Sequence, residues 1–196
     1  MNKLKLYGRE YSRTQVKNNI LKVYKLSSAG LDWYREANKL AVHLSLDNNL
    51  SIAQCAGTIA ALSPRKSWPA NQLLAFDFIE HGSRSGHMSA MINKAELILT
   101  TKDIESIENI LRGQKIVSFF YNILNPVGPE HVTIDRHAMG IAVNGSDRKR
   151  LPKLDITSNQ YKFIEQCYMW TAQGLDILPL ELQAITWSTY RTLSAN

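Results

Sequence analysis

Along almost the whole chain, apolar residues recur at intervals of three and four rather than two. That period constrains the fold more than any other feature. From Gly30, the stripe Tyr34, Ala37, Ala41 and Leu44 lies on one helical face and stops at Asn48-Asn49. Ser51 and Gln54 have the spacing of a capping box, and Ile52, Ala53, Ala56, Ile59, Ala60 and Leu62 follow. This second helix is apolar nearly all round, which predicts the buried centre of the domain. The stretch Ser63-Pro64-Arg65-Lys66-Ser67-Trp68-Pro69 breaks the pattern. Pro69 suits the first turn of a helix running to about Glu80, with Leu73, Phe76 and Ile79 inward and His81-Gly82 closing it. Further helices are predicted at about 88–99, 103–111, 115–124, 136–143, 158–173 and 179–193, the last opened by Pro179. Only Val132-Thr133-Ile134 reads as extended, too little to build a sheet. The expected architecture is an all-α, single globular domain over residues 1–196, made of about nine or ten short helices.

A chain of 196 residues, 44% hydrophobic and 20% charged, can bury a sizeable core without a disulfide or metal staple. No apolar run approaches the length of a membrane span, and MNKLKLYGREYSRT lacks the apolar stretch of a secretory signal. Neither a membrane partner nor export is expected. The two cysteines, Cys55 and Cys167, each fall within an apolar helical pattern, and a reducing cytoplasm is the expected compartment. The net charge of +6 favours a polyanionic partner, nucleic acid before membrane. The charge concentrates in breaks between helices: Arg65 and Lys66; Arg112, Lys115 and Arg136; and Arg148, Lys149, Arg150 and Lys153. Any one of these suits a solvated loop, and three together suit a phosphate-binding face.

Residues 103–143 carry the chemistry. A short helix ends at Leu111, Arg112-Gly113-Gln114 turns, and a second helix starts near Lys115. A lysine in the first turn of a helix faces the positive end of the helix dipole. That field, with partial burial, would favour a neutral, nucleophilic amine. Asp135 begins a later helix, where a carboxylate is electrostatically welcome. Each residue also has a plain alternative: Asp135 as a helix cap, Lys115 as a solvated or phosphate-contacting side chain.

This segment resembles the helix-hairpin-helix DNA glycosylases. Leu111, Gly113 and Lys115-Ile116-Val117 followed by Ile134-Asp135-Arg136-His137 are similar to that family's leucine, glycine hairpin, Lys-Thr-Ala and Val-Asp-Thr-His. Ile59-Ala60-Ala61-Leu62-Ser63-Pro64 is similar to the buried helix that precedes the family's DNA-probing loop. The resemblance covers about residues 50–145. It implies that Lys115 is the Schiff-base lysine of bifunctional members, and that Asp135 is the aspartate stabilising oxocarbenium character at C1′. The family hairpin usually has two glycines that hold a phosphate. Here Arg112-Gly113-Gln114 spans a shorter turn, and Arg112 brings charge. The four-cysteine cluster of some members is absent, so no iron–sulfur group is implied, nor any other cofactor. The whole chain also resembles bacteriophage proteins of unassigned function through Ala-Leu-Ser-Pro-Arg-Lys, Thr-Ile-Asp-Arg-His and Gln-Ala-Ile-Thr-Trp.

The implied partner is duplex DNA with one base flipped out, and a glycosylase must fill the gap that the base leaves. Arg65 or Lys66 can wedge or pin phosphate. Trp68 can stack on the base or open its helix as a core aromatic, and Asn71 can read a base edge or lie on the surface. Gln183, Trp187 and Arg191 share a helix face, with Gln183 to read an edge and Trp187 to stack, or the stripe is core. Trp33-Tyr34 is open in the same way. His137 is placed beside Asp135 at the pocket. No metal site is expected, since His43, His81, His87 and His131 show no ligand spacing. The leading expectation is a DNA glycosylase with abasic-site lyase activity, acting through Asp135 and Lys115. The alternatives are a phage-type transferase that modifies bases on the same scaffold and a non-catalytic DNA-binding protein. Rossmann, P-loop and serine-hydrolase signatures are absent from the chain.

Overall fold

A computed structural model describes residues 3–6, 8–27, 30–145 and 156–193. The chain order is β1 (Lys3–Leu6), β2 (Arg9–Ser12), α1 (Arg13–Tyr24), α2 (Trp33–Asn48), α3 (Ile52–Ala61), α4 (Trp68–His81), α5 (Ser89–Leu99), α6 (Ile104–Leu111), α7 (Gln114–Leu124), α8 (Arg136–Asn144), α9 (Ser158–Gln173) and α10 (Pro179–Thr192). The fold is all-α. It divides into two compact units, one of Met1–Tyr34 with Val127–Asn196 and the other of Arg35–Pro126. Among the described residues no helix is long and apolar enough to cross a membrane.

Three elements at the N-terminal end, β1, β2 and α1, depart from the sequence expectation. β1 and β2 pair antiparallel around Gly8, whose φ of +74° suits a glycine. Leu4 and Leu6 are buried while Lys3 and Lys5 flank Glu10 on the outer side at 3.0 and 3.1 Å. α1 then starts at a capping box of Ser12 and Gln15 and buries Val16, Ile20 and Val23. In this first unit α1 packs on α8, α9 and α10, and α9 packs on β1. The core joins Val16 and Ile20 to Ile134, Met139, Ile141, Phe163, Cys167 and Tyr168.

The second unit is built around α3, which packs against α4, α5, α6 and α7. Its capping box of Ser51 and Gln54 is as expected, and Gln54 Nε2 also donates to Leu99 O at 2.7 Å. A Cβ on Gly57 would come within 2.8 Å of Ile107 and 3.0 Å of Ile98, so glycine lets the neighbouring helices approach. α4 faces differently from the expectation: Asn71, Ala75 and Phe78 point inward, whereas Leu73 and Phe76 are exposed. The polar Asn71 goes in because its amide satisfies a backbone carbonyl of α3, Ile59 O, at 3.0 Å.

Candidate functional site

Asp135 is the N-cap of α8. Its Oδ1 accepts from the amides of His137 (2.9 Å) and Ala138 (2.8 Å), two of the orphan donors of the first turn. Its Oδ2 accepts from Trp187 Nε1 at 2.9 Å and lies 3.1 Å from His137 Nδ1. Three of the sequence-predicted residues, Asp135, His137 and Trp187, therefore meet in the first unit. The four contacts come from two helices and fix the carboxylate in one orientation.

The chain reaches Asp135 through Val132-Thr133-Ile134, which the sequence reads as extended and which forms neither strand nor helix among the described residues. Side chains supply its bonds instead. Tyr161 donates its hydroxyl to Val132 O at 2.8 Å and accepts from Ile134 N at 3.1 Å, while Glu165 accepts from Val132 N at 3.4 Å. Burial raises the Glu165 carboxyl above its ordinary range, against the lowering influence of the Val132 amide and Lys162. Tyr34 completes the support: its hydroxyl donates to Gln183 Oε1 at 2.8 Å and lies 3.0 Å from Thr133 Oγ1. Gly30 permits this approach. Its φ is +114°, and a Cβ there would sit 3.0 Å from Ile185 Cα in α10.

Gln183 and Trp187 lie on one face of α10, as the spacing predicts. Gln183 is buried, with its carbonyl oxygen engaged by Tyr34. Trp187 meets Trp33 and His137 edge-on, at centroid distances of 5.9 and 6.1 Å, and carries the Arg191 guanidinium over its face at 4.6 Å. Arg136, the first residue of α8, is exposed.

The remaining candidates belong to the second unit. Arg112 and Gly113 form the turn between α6 and α7, so α7 begins at Gln114 and Lys115 is its second residue, half-buried. The N-cap residue, Gly113, brings no side chain to cap this helix, and nothing lies within 4 Å of a Cβ built on it. Arg112 takes φ +52° and ψ 151°, a combination almost confined to glycine, and its Nε donates to Asn109 O at 3.3 Å. Tyr121 Oη donates to Glu108 at 2.6 Å across the hairpin, and burial with that carboxylate pushes the phenol up to about 12. Lys94 of α5, which the sequence reading missed, donates to Leu111 O at the end of α6. Desolvation and then the Arg112 guanidinium lower its ammonium below the ordinary lysine range.

Arg65 is exposed at φ +61°, and Lys66 donates to Gly86 O at 2.7 Å. Trp68 opens α4 half-buried, and Asn71 is buried rather than on the surface. Arg148 and Lys149, with Arg150 and Lys153, lie outside the described residues. Among the described residues no group of three or more His, Cys, Asp or Glu side chains could hold a metal ion.

Tyr161, Glu165 and Lys94 were invisible to sequence reasoning because each acts on backbone groups far along the chain, and Tyr34, an open candidate in the sequence, gave no sign of its bonds to Gln183 and Thr133. The one available signal was the extended tripeptide, whose backbone groups needed partners from somewhere. No curated protein and no solved structure matches this chain. A family match runs over residues 4–194, nearly the whole length, and by it the chain belongs to DUF7178, a family of unknown function.

Proposed function

We propose that the protein is a DNA glycosylase that removes a modified or damaged base through Asp135, with abasic-site lyase activity through Lys115. The observation that carries this reading is the Asp135 carboxylate, fixed by the helix amides on one oxygen and by Trp187 and His137 on the other. A preoriented anion is what an oxocarbenium-like transition state needs, because the charge that develops at the sugar meets an electrostatic field already in place. Base departure leaves an abasic aldehyde, and an amine at position 115 can condense with it.

The basic breaks support the DNA partner. Of the four non-glycine residues at positive φ among the described residues, Asn49 and Asp176 are types that tolerate it, whereas Arg65 and Arg112 are not. Both arginines sit in the breaks singled out by charge, and strain of this kind concentrates at functional positions.

Borohydride trapping on labelled duplexes with an abasic site, uracil, oxidised purines or oxidised pyrimidines tests the reading. A covalent adduct that disappears in Lys115→Ala is expected, and the adducted duplex names the substrate. Failure to trap on any duplex removes the lyase step, and failure to release any base removes the glycosylase.

A second reading, a DNA-binding protein without chemistry, is favoured by one feature: the hydrogen bonds of Asp135 are those of a complete helix cap. It requires salt-dependent duplex binding that Asp135→Asn leaves unchanged, with no alteration of the DNA.

A further inference from the structure

This inference rests on the base-excision reading and identifies its proton acceptor. An ionised carboxylate has about four lone-pair directions. Protein donors engage those of Asp135: the His137 and Ala138 amides on Oδ1, Trp187 Nε1 and His137 Nδ1 on Oδ2. Such a carboxylate holds its charge in place but keeps no lone pair for the proton of an incoming water.

The imidazole beside it is in the opposite condition. Since an ionised carboxylate cannot donate, the Nδ1 that faces it at 3.1 Å carries the ring proton. The lone pair then lies on Nε2, which takes no hydrogen bond among the described residues. The His137 side chain is 13% exposed, with the rings of Trp187 and Tyr190 edge-on at 6.1 and 6.3 Å. These groups all belong to the first unit.

We infer that His137 is the general base of base excision, with Asp135 fixing its tautomer and stabilising the imidazolium. The C1′–N bond breaks and its electron pair leaves with the base. A water oxygen bonds to C1′, and the proton it sheds passes to His137 Nε2. The imidazolium then returns that proton to the departed base nitrogen, so the sum is hydrolysis of one N-glycosidic bond. Water is the first nucleophile, and Lys115 acts afterwards on the aldehyde.

The test is single-turnover base release by the full chain from duplexes with one uracil, hypoxanthine, oxidised guanine or thymine glycol, scored as alkali-labile breaks. On a lesion that the native chain processes, His137→Ala is expected to lose about 10²–10⁴ in rate with duplex affinity unchanged. Added imidazole should restore release, and azide, which attacks without shedding a proton, should yield a glycosyl azide. His137→Gln can still donate to Asp135 but cannot serve as a base, and should be as slow as the alanine variant. A near-native rate in His137→Ala, or a loss that neither additive relieves, overturns the inference and leaves base excision standing. Absence of release from all four duplexes by the native chain overturns base excision and the inference with it. Nitrogen NMR of the native protein gives a check without substrate: the His137 proton is expected on Nδ1, and finding it on Nε2 overturns the assignment.

Discussion

Replacing Asp135 with asparagine separates two contributions that the native side chain combines. Asparagine is among the best N-caps, so the helix-start bonds to His137 and Ala138 survive. Its amide nitrogen then faces the indole N–H of Trp187 and forces His137 into the other tautomer. Leaving the indole unpaired costs about 1–3 kcal/mol, which a thermal melt will read as a lowered Tm. Base release should fall with it, whereas a fold held by the cap alone would retain both. Arg112 offers the complementary case. Glycine there removes the cost of a left-handed arginine, and we expect Arg112→Gly to gain about 1 kcal/mol in urea melts. The same substitution should weaken duplex binding and reduce the salt slope by about one, since one phosphate-neutralising cation is gone. An arginine with a relaxed backbone and no part in binding would show neither change.

Two backbone groups of the approach to α8 share one tyrosine hydroxyl. Tyr161→Phe orphans the buried Val132 carbonyl and Ile134 amide at about 1–3 kcal/mol each, and faster exchange of the Ile134 amide is the direct readout. Glu165, on the same helix, gives a pH dependence. Its folded carboxyl titrates above the ordinary 4.5, so the acid form is the better tolerated one. Its favourable contribution is present below 4.5 and is lost as pH rises through the folded value. Glu165→Gln keeps an acceptor for Val132 N, and should be more stable than the native chain at neutral pH, with the difference closing in acid. Urea melts across that window check the sign.

Elements of this kind divide into those with local causes and those without. Ser51 with Gln54, Asn48-Asn49, His81-Gly82 and Pro179 are punctuation that acts within a turn, and the helices they bound run as expected. α1 has the same signals in Ser12, Gln15 and the spacing Val16, Ile20, Val23, but a stripe of three inward residues, with Leu21 off it, is faint. The hairpin hid in the alternation Lys3-Leu4-Lys5-Leu6, only four residues long. For the site, the cap role of Asp135 and the shared face of Gln183 and Trp187 were legible. The bond from Trp187 to Asp135 spans 52 residues, and the inward face of α4 answers to a carbonyl on α3. Neither partner is specified by anything nearby in the chain.

Each unit contains one buried cysteine, Cys55 in the second and Cys167 in the first. Burial pushes their thiols up to about 12 and about 11, so thiolate is scarce at neutral pH. Both should resist disulfide reagents in the folded protein. In single-cysteine variants, the onset of labelling along a urea gradient should report the opening of the unit that holds the remaining thiol. Early labelling in the absence of denaturant would contradict the packing described here. The second unit is also one continuous stretch, Arg35–Pro126, with its own buried centre in α3. A fragment from Trp33 to Pro126 is expected to be helical and to melt cooperatively by circular dichroism.

The first unit cannot be made that way, because its two segments lie on either side of that stretch. On the ribosome, Leu4, Leu6, Val16, Ile20 and Val23 emerge before the second unit, and their packing partners from Val132 onward emerge only after the whole of it. The contiguous unit can close while synthesis continues, but the N-terminal hairpin and α1 must wait with their apolar face unpaired. These residues are thus synthesised before the second unit and complete their core after it, with their apolar side chains exposed in the interval.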